Sequence, residues 1–75
     1  MSRLPSLSGK KAIHALEKIG FSRVRQAGSH IVLQKRIPGS TITTVVPNHH
    51  ELARGTLRAI IRKAGLSVDE FIDLL

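Results

Sequence analysis

Three short runs rich in β-branched residues, separated only by small turn-forming residues, constrain the fold of this chain most. The runs are residues 21–26 (FSRVRQ), 30–37 (HIVLQKRI) and 41–47 (TITTVVP), and they are separated by AGS and PGS. Runs of this kind, bounded by Gly, Pro and Ser, are typical of strands. Because connections this short join antiparallel neighbours, we predict a three-stranded antiparallel meander.

Segments with helical periodicity flank the three strands. Apolar residues recur at helical spacing before the strands and again after them (Ala12, Ile13, Leu16 and Ile19; Leu57, Ile60, Ile61 and Ala64). We predict that Ser8 and Thr56 cap the starts of the two helices, because their hydroxyls can accept a hydrogen bond from a free backbone N–H. Gly20 and Gly65 can take the left-handed conformation that ends a helix.

The last segment, SVDEFIDLL, predicts a third and shorter helix that begins with a capping box of Ser67 and Glu70. The order helix, three-stranded antiparallel sheet, helix, short C-terminal helix predicts a two-layer α+β fold with the helices on one face of the sheet. We expect residues 1–75 to form a single domain. This outline suits a domain like the double-stranded-RNA-binding domain (dsRBD), which recognises shape, 2′-hydroxyls and phosphates.

The charge distribution points to a polyanionic partner. The 75 residues carry a net charge of +7, and residues 1–66 hold all 12 basic residues with only Glu17 and Glu51 opposing them. Nucleic acid is the leading candidate for such a field, although a basic surface can also serve solubility alone. Two Phe and no Tyr or Trp disfavour a platform that binds single strands by stacking their bases.

Other features of the composition narrow the class of protein. The absence of cysteine excludes disulfides and thiolate metal sites and fits a reducing compartment. The first residues, MSRLPSLSGKK, contain no apolar run of signal-peptide length, and no stretch approaches the roughly 20 apolar residues of a membrane span. We therefore expect a soluble cytoplasmic protein that has no membrane partner.

Alternation along the strands predicts which side chains face the helices. In the second strand one set faces the core (Ile31, Leu33 and Ile37), and the other faces away (His30, Val32, Gln34 and Arg36). In the first strand the same rule puts Val24 on the core side, and Arg23 and Arg25 on the open face with His30. Phe21 shares the parity of these arginines, so we expect it to reach the core from the end of the strand.

Several segments together resemble the HicA (YcfA-like) family of bacterial toxins. The matching segments are SGKKAIHALEKIGF, RQAGSH, VVPNH and ELARGTLRAIIRKAGLSVDEF, which occur in this order along most of the chain. The resemblance implies a dsRBD-like fold and metal-independent cleavage of mRNA without a cofactor. It also implies a catalytic role for His30 and a neutralising HicB-like antitoxin. We expect a monomer alone and a hetero-oligomer with the antitoxin. Members often carry an aromatic soon after this histidine, where this chain has residues 31–33 (IVL).

Histidine suits RNA cleavage because RNA carries its own nucleophile, the 2′-hydroxyl. One group must take the proton of that hydroxyl and another must protonate the leaving 5′-oxygen, and an imidazole can do either near neutral pH. The negative charge that develops on phosphorus needs nearby donors. Candidate RNA-binding groups are three arginines, the first lysine of the first matching segment and two backbone N–H groups (Arg23, Arg25, Arg36, Lys10, Gly28 and Ser29).

Three alternative interpretations remain open from the sequence. A lone strand histidine can be structural, and the same basic surface suits a non-catalytic RNA-binding module or a protein that docks on an acidic partner. The basic positions of the second helix (Arg54, Arg58, Arg62 and Lys63) can bind RNA or simply be solvated. His49, His50 and Glu51 hint at metal, but adjacent side chains diverge and no further ligand is fixed, so we predict no metal site.

Overall fold

The computed structural model describes residues 3–75 and confirms the predicted order of elements. Three helices and three strands follow one another as α1 (Gly9–Glu17), β1 (Ser22–Ala27), β2 (His30–Ile37), β3 (Ser40–Pro47), α2 (Arg54–Lys63) and α3 (Val68–Ile72). The strands form an antiparallel sheet in the order β1-β2-β3, and α1 and α2 both contact β3. The molecule is therefore an α+β fold with β2 at the centre of the sheet.

Two-residue turns join the strands, as the short separators predict. Ala27 pairs with His30 across Gly28 and Ser29, and Gly28 has a φ of 59°. A positive φ at the first central residue is the pattern of a type II′ turn, which matches the right-handed twist of paired strands. The second turn places Pro38 before Gly39, whose φ is 74°, and this is the residue pattern of a type II turn.

The helix ends are mostly as predicted, with one correction. Ser8 caps α1 by accepting a hydrogen bond from the Lys11 N–H at 3.1 Å. Both α1 and α2 end in Schellman motifs at a glycine of positive φ (Gly20 and Gly65), with N–H to C=O bonds from Phe21 to Leu16 and from Leu66 to Ile61. The prediction that Thr56 caps α2 is wrong. The helix begins at Arg54, and Ala53 is the cap residue without a side-chain bond.

The capping box of α3 is present as predicted. Ser67 Oγ accepts from the Glu70 N–H at 3.1 Å, and Glu70 Oε1 accepts from the Ser67 N–H at 2.8 Å. These hydrogen bonds to Ser67 favour the carboxylate and hold the pKa of Glu70 below its ordinary value of 4.5. Phe71 of this helix is fully buried and joins the core, whereas Leu75 at the end of the chain is 49% exposed.

The hydrophobic core lies between the helices and one face of the sheet. It contains apolar residues of the three helices, of β2 and β3, and of the segments outside these elements (Ile13, Leu16, Ile31, Leu33, Val46, Leu57, Ile60, Ile61 and Phe71, with Leu4, Leu7, Phe21 and Leu52). The leucines of the N-terminal segment and of the β3–α2 connection were not predicted from periodicity. Ile37, predicted to face the core, is 37% exposed, and all residues of the β2–β3 hairpin tip from 36 to 41 are exposed with it.

A β-bulge in β1 changes the predicted faces of that strand. Arg23 pairs with Leu33 and Arg25 with Val32, so Val24 is the extra residue between them. Because directly paired residues share a face, Arg23 lies on the helix-facing side with buried Leu33, and Arg25 lies on the open face. The shared face of Arg23 and Arg25 is thus a wrong prediction, and so is the inward-facing Val24, which is 49% exposed.

The bulge also explains how Phe21 reaches the core. Phe21 and Arg23 alternate with Ser22, which pairs with Gln34 of the open face, so both point towards the helices. Phe21 is 3% exposed, and Arg23 Nε lies 3.9 Å from a carboxylate oxygen of Glu17 on α1. Before the extra residue, Phe21 and Arg23 therefore point towards the helices. After it, Arg25 points towards the open face.

Candidate functional site

The β1–β2 turn holds His30 at the start of the central strand with its side chain exposed. Its backbone pairs with Ala27 on one side and with Pro47 on the other, so both neighbouring strands fix its position. The Asn48 N–H donates to the Ser29 carbonyl at 2.6 Å, and Gln26 Nε2 donates to the Gly28 carbonyl at 2.9 Å. The turn is thereby anchored through its carbonyl groups.

The backbone N–H groups of this turn have a different environment. In the described part of the chain, neither the Gly28 nor the Ser29 N–H donates a hydrogen bond. No atom lies within 4 Å of the place where a Cβ of Gly28 would stand, so a ligand can approach this backbone. Two consecutive free N–H groups beside an exposed histidine form an environment that suits an anion.

His30 lies on one wall of a groove between the sheet and α2. The groove has a volume of about 340 Å³. Residues of β2 and β3 line one side, and residues of α2 line the other (His30, Thr43, Thr44, Val45 and Pro47; Thr56, Ala59, Ile60 and Lys63). The shared groove of α2 and His30 could not be predicted from the sequence, because it arises only from the packing of α2 against the edge strand β3.

Arg25 is the predicted arginine that the fold brings nearest to His30. It pairs with Val32, two positions along β2 from His30, and is thus the diagonal neighbour of His30 on the open face. Diagonal neighbours in an antiparallel pair lie about 7–8 Å apart, which a long guanidinium side chain can bridge. Arg25 and His30 can therefore contact the same phosphodiester group.

The other predicted arginines lie away from His30. Arg36 is on the open face, but it lies six positions from His30 along β2, or about 20 Å. It lines a second depression with Ser22, Val24 and Gln34. Arg23 faces α1 on the other side of the sheet. Neither can reach a phosphate that His30 contacts.

Lys10 occupies a third position. It follows Gly9, whose N–H donates to the His49 carbonyl at 2.9 Å, so the start of α1 lies beside the end of β3. The Lys10 side chain, however, lines a separate groove of about 490 Å³ between α1 and the C-terminal residues (Leu7, Lys11, His14, Ala15, Lys18, Leu74 and Leu75). The structure therefore does not bring Lys10 into the groove of His30.

The acid–base chemistry available in the groove rests on one side chain. Among the described residues that line it, His30 is the one imidazole, the type of side chain most often used for acid–base catalysis, and Lys63 adds one positive charge. His49 and His50 are exposed in the connection after β3. Within residues 3–75, no group of three His, Cys, Asp or Glu side chains is arranged to hold a metal ion.

A comparison with protein families decides the family of this chain. Residues 9–66 of the 75 match a family model described as the HicA toxin of bacterial toxin–antitoxin systems. The chain belongs to the HicA toxin family. A search of curated protein sequences found no match.

Membership of the HicA family has two direct consequences. The chain is a toxin of a toxin–antitoxin pair, and a cognate antitoxin is implied as its partner. The matched residues include the whole sheet, the β1–β2 turn with His30, and all of α2. The family match thus covers every wall of the groove described above. Among the helices in residues 3–75, none has the length and apolar character needed to span a membrane.

Proposed function

We propose that this HicA-family toxin is a metal-independent endoribonuclease that cleaves mRNA with His30 as its catalytic side chain. The observation that carries the proposal is the exposed position of His30, beside two free backbone N–H groups and diagonal to Arg25. Family membership supports it, because HicA toxins are generally nucleases. RNA is the fitting substrate, since its own 2′-hydroxyl supplies the nucleophile for cleavage.

The reaction requires two proton transfers and no oxidant or cofactor. The 2′-hydroxyl loses its proton as its oxygen bonds to the adjacent phosphorus, and the bond from phosphorus to the 5′-oxygen breaks. The leaving oxygen takes up a proton, which leaves a 2′,3′-cyclic phosphate and a 5′-hydroxyl. His30 carries out one of these transfers, and water carries out the other. A single positioned acid or base accelerates such a step about 10²–10⁴-fold.

The same turn supplies the stabilisation of charge. As the 2′-oxygen attacks, negative charge grows on the non-bridging phosphate oxygens, and preorganised N–H donors stabilise it without having to reorganise. We assign this role to the N–H groups of Gly28 and Ser29, which donate no other hydrogen bond in the described residues. Arg25 adds a charge-assisted bond from the open face.

The remaining basic residues act on RNA outside the scissile phosphate. Arg36, about 20 Å from His30 along β2, would contact a phosphate several nucleotides away. Lys10 would contact RNA only if the RNA extended past the start of α1 to the separate groove that Lys10 lines. Arg23 lies outside the proposed RNA-binding surface, because it faces α1. The net charge of +7 supplies the long-range attraction for all of these contacts.

The products of RNA cleavage test this proposal. Purified protein incubated with RNA in EDTA should generate fragments that end in 2′,3′-cyclic phosphate and begin with 5′-hydroxyl, because attack by the 2′-oxygen leaves these ends. Fragments with 5′-phosphate ends would indicate attack by water and contradict the mechanism. RNA that is bound but not cleaved would favour the alternative, a non-catalytic RNA-binding module.

A further inference from the structure

The groove beside His30 is lined by both apolar and polar side chains, which a general electrostatic attraction to RNA does not require. Its sheet wall carries Thr43, Val45 and Pro47, and Val45 is a large apolar side chain that is 44% exposed. On the outer face of a sheet, an exposed valine between a threonine and a proline offers an apolar strip with a hydroxyl at one end. The strip begins at Pro47, the β3 partner of His30.

The helix wall has a matching pattern. Thr56, Ala59 and Lys63 line the groove at spacings of three and four residues, which places them along one face of α2. The small side chain of Ala59 leaves space in the middle of this face, with a hydroxyl at one end and an ammonium at the other. Among the described residues that line the groove, Lys63 is the one with a fixed positive charge.

The groove therefore combines one cation, hydroxyls of both walls and an apolar strip, next to a histidine. A nucleotide has the complementary parts, namely a phosphate, a sugar with hydroxyls and a flat base with apolar faces. The volume of about 340 Å³ is at the lower end of the range for small-molecule sites, so the groove is sized for one nucleotide rather than for a duplex. Duplex RNA is instead recognised across a wide surface.

We propose that this groove is a subsite for the unpaired nucleotide adjacent to the scissile phosphate. Lys63 binds the next phosphate along the strand, the base lies against Val45 and Ala59, and the Thr56 hydroxyl contacts the sugar or the edge of the base. The inference rests on the proposed ribonuclease function, since it places this nucleotide beside His30. It adds that the toxin requires single-stranded RNA at the cleavage site.

The first test compares two charge deletions at neighbouring positions of α2. Lys63→Gln removes the charge inside the groove, and Arg62→Gln removes the preceding charge, which is exposed and outside the groove lining. Binding of a short single-stranded oligoribonucleotide is measured with both changes in a His30→Ala background, so that no RNA is cleaved. We expect Lys63→Gln to weaken binding about tenfold more than Arg62→Gln, as the loss of one charge-assisted contact predicts. Equal effects would overturn the subsite.

A second test fills the groove without removing charge. Ala59→Leu adds an apolar side chain between the two walls, and leucine is a good helix former, so α2 should persist. Thermal melting checks the fold. We expect this variant to raise KM for a single-stranded substrate, and we expect wild-type protein to leave a blunt duplex of the same sequence uncleaved. Cleavage of the duplex at the single-strand rate, or an unchanged KM, would overturn the proposal.

The subsite and the ribonuclease function fail in different ways. Backbone NMR shifts of wild-type protein titrated with a single-stranded DNA analogue, which lacks the 2′-hydroxyl, report binding without chemistry. Shifts centred on Val45, Ala59 and Lys63 support the subsite even if RNA is never cleaved. If RNA is cleaved but the shifts avoid these residues, the ribonuclease function stands and the subsite is wrong.

Discussion

Gly9 illustrates how single residues position the candidate site. It is the first residue of α1 and is buried, and a Cβ at this position would overlap the carbonyl oxygen of Pro47. Pro47 pairs in turn with His30. A residue without a side chain is therefore required where α1 packs against the end of β3, and the glycine of the sequence SGKK has a steric reason to be there.

The first prediction compares two glycine-to-alanine changes. Gly9→Ala should destabilise the fold by about 1–3 kcal/mol, because the added methyl overpacks a backbone contact. Gly55→Ala is the control, since Gly55 lies in α2 with open space around it, and it should stabilise by up to about 1 kcal/mol. Thermal melting measures both, at roughly 4–8 °C per kcal/mol for a domain of this size. A Gly9→Ala protein as stable as Gly55→Ala would contradict the packing described.

The sequence predicted some single residues well because their signals are local. Ser8, Gly20, Ser67 and Glu70 act through hydrogen bonds within a few residues, so their caps could be predicted from spacing alone. Thr56 was misassigned because a hydroxyl residue three positions inside a helix carries the same local signal as a cap. The role of His30 stays a prediction, although its exposed position agrees with strand alternation.

At the scale of elements, the bulge in β1 decides which arginine can act. A regular strand would place Arg23 and Arg25 on one face, whereas the extra Val24 puts them on opposite faces of the sheet. The sequence contained one sign of this irregularity. Strand alternation placed Phe21 on the open face with Arg25, although a large apolar side chain is expected in the core. The register shift that lies between Phe21 and Arg25 resolves this conflict, and Phe21 is buried.

The second prediction separates the two arginines. Arg25→Ala should weaken RNA binding and reduce the salt dependence of log K by about one phosphate contact, because Arg25 lies diagonal to His30. Arg23→Ala removes the same charge but faces α1, where its half-exposed ion pair with Glu17 contributes little stability. Equilibrium binding at several salt concentrations measures both variants. Equal losses would indicate that net charge, rather than the face of the sheet, determines RNA binding.

At the scale of the whole molecule, packing brings together what the sequence keeps apart. The register of β3 against β2 places Thr43, Val45 and Pro47 on the face of His30. Alternation in TITTVVP puts these three residues on one face, but it does not tell which face that is. That Thr56 and Lys63 line the same groove could not be predicted from the sequence, because it depends on how α2 packs against β3. The element order and the two-layer fold were predictable since periodicity and short turns leave few topologies open.

The third prediction concerns the cognate antitoxin that family membership implies. We expect it to cover His30 and the open face with acidic groups, since residues 1–66 carry a net charge of +10. The complex should therefore lack ribonuclease activity. Arg25→Glu should weaken the complex more than Arg58→Glu, a matched change at an exposed position of α2 outside the groove. A complex that still cleaves RNA, or equal effects of the two changes, would contradict this mode of neutralisation.

The catalytic role of His30 is tested by RNA cleavage in EDTA with wild-type protein, His30→Ala and His14→Ala. His14 is the matched control, because it is an exposed histidine of α1 that lines a different groove. We expect wild type and His14→Ala to cleave RNA. We expect His30→Ala to lose cleavage while its melting temperature is unchanged and RNA binding is retained, because the side chain is exposed. Cleavage by His30→Ala at the wild-type rate would remove His30 from the mechanism and contradict the central claim.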